Sequence, residues 1–201
     1  MNSQLYQRLW FDLGANRLPY EIPLHPNLVH LTLGLFIIAI IFDIAGTFFP
    51  LEKPILKFLS LTAIRSGFYD VGWYNMLACA VITPLTVAAG FFELVLADPP
   101  PGVTSDWGLS PGETMLLHGL GGILLLAIIF AMTGWRGLQR YRWRKNKVRQ
   151  VQWLYLLAGI ALLGILYVHG TLGGHLGSEF GVHNTAAHLL REGKNPNTLL
   201  E

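Results

Sequence analysis

The chain has 201 residues and a formal net charge of +2, with 52% hydrophobic and only 13% charged residues. A soluble domain carries roughly 25% charged residues, so this composition excludes a soluble enzyme or a disordered chain and points to an integral membrane protein. Cys79 is the only cysteine, which excludes an intramolecular disulfide, a four-thiolate zinc or iron–sulfur site and a thioether-linked haem.

In chain order, Leu5, Trp10, Phe11 and Leu13 suggest a short interfacial helix near the N-terminus, with no signal-peptide pattern in front of it. Four apolar runs follow, at residues 28–49, 74–97, 114–135 and 151–169. At about 1.5 Å per residue, each is long enough to cross a hydrocarbon core near 30 Å. Residues 53–66 read as a second interfacial helix. Pro84 lies near the centre of the second run, where a kink is expected. Ser110-Pro-Gly-Glu113 reads as a helix start, with a serine cap, proline at the first helical position and an acid two residues later. Trp73, Trp135, Trp143 and Trp153 fall at span ends, as interfacial tryptophans do. Cys79 sits in an apolar run and reads as a buried small side chain. The predicted fold is all-α: an integral membrane four-helix bundle with short interfacial helices. It divides into an N-terminal segment (1–27), the transmembrane domain (28–175) and a polar C-terminal tail (176–201).

The basic residues predict orientation. Arg136, Arg140, Arg142, Arg144, Lys145, Lys147 and Arg149 make up half of the fourteen Lys and Arg, and Lys53, Lys57 and Arg65 lie between the first two spans. Residues 98–113 hold none. The positive-inside rule then places both basic loops in the cytoplasm and both termini outside.

That orientation gathers titratable side chains at the outer face. His25 and His30 open the first span, Glu93 closes the second, His118 opens the third and His169 ends the fourth. Imidazole is the commonest metal ligand, and ionisable groups in membrane helices face the bundle interior or a cavity. Gly34, Gly90, Gly119, Gly121, Gly122, Gly170, Gly173 and Gly174 flank these positions and would give room for a flat macrocycle. A haem b with His30 and His118 as axial ligands is the leading expectation, with His25, His169 and Glu93 around it. A structural alternative stands beside it, because histidine is tolerated near interfaces and glycine lets helices pack closely. His183 and His188 fall in the polar tail. Asp43, inside the first span, is a further candidate, or else pairs with Asn75 or Arg65.

The motifs His25-Pro-Asn-Leu-Val-His30, Tyr69-Asp-Val-Gly-Trp-Tyr-Asn75 and Gly90-Phe-Phe-Glu93, the isolated His118 and the Gly170–Gly174 run together resemble the bacterial four-span family DUF2231, over about residues 24–182. The resemblance implies a bacterial inner or thylakoid membrane. Related sequences look like b-type membrane cytochromes, some fused to Rieske domains, so it also implies an electron-transfer setting. His25, His30, Glu93 and His118 are the positions it carries over. Three functions follow as expectations. The first is a haem-b electron-transfer protein or subunit with redox partner proteins. The second is a cofactor-free accessory or assembly subunit of a respiratory or photosynthetic complex, with lipid, pigment or quinone on its apolar faces. The third is a non-haem metal site using His25, His30, His118 and Glu93. No nucleophile elbow, phosphate loop or His-Glu-x-x-His is present, so a hydrolase or transferase is not expected, and nucleic acid is not an expected partner.

Overall fold

The computed structural model describes residues 24–49, 53–58, 64–97, 102–143, 150–180 and 182. The expected helix near the N-terminus and the tail beyond residue 182, with His183 and His188, lie outside them. Every regular element among the described residues is helical: α1 (Leu24–Phe48), α2 (Lys53–Phe58), α3 (Arg65–Leu96), α4 (Pro111–Tyr141) and α5 (Trp153–Ser178). α1, α3, α4 and α5 are long and apolar enough to span a membrane. The chain is an all-α membrane helical bundle. Only 22–33% of the most apolar stretch of each span is buried inside the protein. The remaining apolar surface has to face a nonpolar solvent, and the bilayer supplies it.

The start of α4 matches its expected cap. Ser110 N donates to Glu113 Oε2 at 2.8 Å, and Glu113 N donates back to Ser110 Oγ at 3.3 Å. This reciprocal box satisfies two otherwise unpaired amides. α3 runs through Pro84 without a break. The proline leaves the Ala80 carbonyl without its helical donor.

The helices outrun the apolar stretches read from sequence. α3 begins at Arg65 rather than near residue 74, so the second interfacial helix shrinks to α2. α4 continues to Tyr141, and α5 runs on through the glycine-rich segment to Ser178. An apolar count measures the hydrocarbon crossing, whereas a helix continues wherever its polar side chains find partners. Arg136, expected in the basic loop, is therefore a fully buried α4 residue. Its Nε and Nη2 donate to the two carboxylate oxygens of Asp43, both at 2.8 Å, and Nη2 also donates to the Tyr69 carbonyl at 3.2 Å. Asp43 thus pairs with neither Asn75 nor Arg65. Asn75 donates to the carbonyl of Val71 instead. Arg140, one turn beyond Arg136, pairs with Asp70 at 2.7 Å.

The chain forms two compact units, each built from pieces of all four long helices. Residues 28–86 and 124–167 hold the main apolar core, which includes Phe36, Ile40, Met76, Cys79, Ile129 and Tyr155. Cys79 is fully buried, as its apolar context predicts. Glycine permits close approach at Gly159, where a Cβ would lie 2.5 Å from Ile40 Cδ1. The Arg136–Asp43 pair belongs to this unit, as does a hydroxyl contact from Thr32 to Thr86 at 2.8 Å. Residues 1–27, 87–123 and 168–201 form the second unit, in which Leu176, Phe180 and Val182 pack with Leu94, Ala97 and Met115.

Candidate functional site

The second unit contains the histidine cluster. His25 lies in the first turn of α1, where backbone amides have no helical acceptor. Its N–H donates to Glu93 Oε1 at 2.9 Å. Glu93 on α3 is 1% exposed. The carboxylate therefore caps another helix, and its charge meets the positive end of the α1 dipole. That contact gives this buried acid a structural role that its sequence position alone did not reveal. Gly90, one turn earlier on the same face of α3, receives the His25 ring, with Cε1 only 2.7 Å from where a Cβ would stand. The Gly90-Phe-Phe-Glu93 motif is thus a dock for the start of α1. The glycine takes the imidazole and the acid takes the backbone.

α4 and α5 repeat the device reciprocally. His118 on α4 reaches Gly173 on α5, where a Cβ would lie 2.9 Å from its ring, and His169 on α5 reaches Gly121 on α4, where the figure is 2.7 Å. Histidine and glycine are three residues apart in α4 and four apart in α5. Each pair therefore shares one helix face. The two imidazoles meet between the helices and stack, with centroids 4.2 Å apart and planes 6° from parallel. His25 meets His118 nearly edge-on, with centroids 6.0 Å apart and planes 82° from parallel.

Of the residues singled out in the sequence, the structure brings together His25, Glu93, His118 and His169. His30 belongs to the other unit and is exposed. The glycines also act differently from the expectation. Three of them, Gly90, Gly121 and Gly173, accept the imidazoles themselves, so the room they open is already filled by histidine.

His175, a weaker ligand candidate from the sequence, forms a second polar group in this unit. Its Nδ1 pairs with Glu179 Oε1, and its ring packs against Trp107 at 4.9 Å. Glu179 Oε2 accepts the Asp106 amide at 3.0 Å, tying the residue 102–110 loop to the end of α5. Gly102 and Gly108 give that loop its left-handed turns at φ 77° and 74°.

Among the described residues, no group of three or more His, Cys, Asp or Glu is arranged to hold a metal ion. The stacking explains part of this. The nitrogens of His118 and His169 lie in parallel planes and cannot converge on one ion.

The sequence model of a family described as "Predicted membrane protein (DUF2231)" matches residues 21–186. No curated protein and no solved structure matches the chain.

Proposed function

We propose, from the premise that this chain belongs to the DUF2231 family of membrane proteins, that it is a membrane-embedded electron-transfer subunit whose histidine cluster takes a haem b. One observation carries the reading: three imidazoles, from α1, α4 and α5, gather in one unit with a buried carboxylate. The donor set suits the group, because imidazole is a standard ligand of haem iron. His25 and His118 are the residues that would hold it, their rings meeting at 6.0 Å between centroids.

When bound, haem would supply a one-electron couple. The protein's own residues do the positioning. Glu93 fixes the backbone of His25, while Gly90 and Gly173 set how deeply the two rings sit. The charge distribution further supports an orientation with both termini periplasmic or lumenal and the basic loops cytoplasmic.

A second reading is favoured by the same packing. The imidazole–glycine contacts join α4 to α5 and α1 to α3 without any cofactor, as befits an accessory or assembly subunit held in a larger membrane complex. A reduced-minus-oxidised optical spectrum of the purified full chain separates the two. A b-type spectrum lost in His118→Ala and retained in His30→Ala supports the haem reading, and a colourless protein made with ample haem supports the second.

A further inference from the structure

Helix α2 raises a question that neither reading answers. It has six residues, and none of them is buried against the rest of the protein. Isolated helices shorter than about 12–15 residues are marginal in water, so α2 needs an external surface to hold its fold. Its side chains divide by face. At about 100° per residue, Lys53 and Lys57 share one side, while Ile55 and Phe58 project roughly opposite. Ile55 is 63% exposed and Phe58 86% exposed. Among the described residues, no acid is left to compensate the lysine side. The acids described in its unit are Asp43 and Asp70, and arginines of α4 already hold both. Beside it, Phe49 lies between Lys53 Nζ at 5.6 Å and one further cation, Arg65, with Cζ at 5.7 Å.

We infer that α2, with Phe49 and Arg65, is a docking surface for anionic phospholipid of the adjoining leaflet. Ile55 and Phe58 enter the acyl boundary, and Lys53, Lys57 and Arg65 hold the headgroup phosphates. The occupant is a lipid rather than a soluble anion because the cationic face is backed by an apolar one. That pairing is how interfacial helices bind, and each basic residue near an anionic surface adds attraction.

The test uses the full chain in vesicles of phosphatidylcholine with a minority of phosphatidylglycerol. Electron spin resonance with spin-labelled versions of each lipid reads their relative association. The wild-type chain should prefer the glycerol lipid at low salt and lose the preference in high salt. Lys53→Gln/Lys57→Gln, at two exposed positions, should lower it by about fivefold per lysine at the contacting lipids. Equal preference in wild type and variant, or none in wild type, overturns the assignment. A nitroxide on Phe58→Cys in a Cys79→Ala background supplies the second measurement. Oxygen access typical of the acyl boundary supports lipid contact. Dipolar broadening between copies would mean that a second chain covers α2, and would also overturn it.

Discussion

A methyl group added at Gly121 would stand 2.7 Å from His169 Nδ1, closer than real side chains come. Gly121→Ala should therefore destabilise the chain by about 1–3 kcal/mol through overpacking. Gly164→Ala is the control, because nothing lies within 4 Å of its added carbon. It should be neutral or stabilising by up to about 1 kcal/mol, since alanine is the better helix former. Thermal unfolding in detergent checks both, and adding His169→Ala to Gly121→Ala should recover part of the loss. The other sensitive residue is Asp43. Its removal leaves the Arg136 charge buried without its carboxylate, at a cost of about 3–5 kcal/mol. Asp43→Leu alone should unfold at clearly lower temperature, and Asp43→Leu/Arg136→Met should regain much of the difference. Equal melting of the single and double variants would contradict that assignment.

At the scale of elements, hydropathy was the legible part. The four apolar runs gave the four spans, and Ser110 and Glu113 gave the start of α4. Ser110→Ala should cost about 1 kcal/mol, while Glu113→Gln should cost less because glutamine completes the same box. Hydrogen exchange at the first-turn amides of α4 distinguishes the two. Helix ends were less legible. Arg136 reads as a loop residue from sequence, yet charge marks a membrane boundary only while it is unpaired. Its partner lies 93 residues away, which no local pattern shows. The histidine–glycine exchange was half legible. The spacings His118–Gly121 and His169–Gly173 place each pair on one face, yet only the rotation of α4 and α5 shows that each histidine fills the other helix's glycine.

For the whole molecule, composition named the solvent and family membership agrees with it. The distribution of basic residues predicts that residues 98–113 and 53–66 open on opposite sides of the membrane. In a Cys79→Ala background, Val103→Cys should react with an impermeant maleimide added to intact cells. Lys57→Cys, an exposed position on the polar side of α2, should react only after the membrane is opened. The opposite pattern, with the α2 cysteine labelled from outside and the residue 103 position protected, would reverse the orientation. The site was legible as a depth and as a set of residue types. The sequence paired His118 with His30, whereas the ring contacts pair it with His25 and His169. Depth is a one-dimensional coordinate, and choosing between His25 and His30 needs the direction each faces around α1. The most direct measurement of the central claim is the reduced-minus-oxidised spectrum of the purified full chain and its variants. The account predicts a b-type spectrum that disappears in His25→Ala and in His118→Ala and persists in His30→Ala. A colourless wild-type protein made with ample haem, or a spectrum unchanged in His25→Ala and His118→Ala, would contradict it.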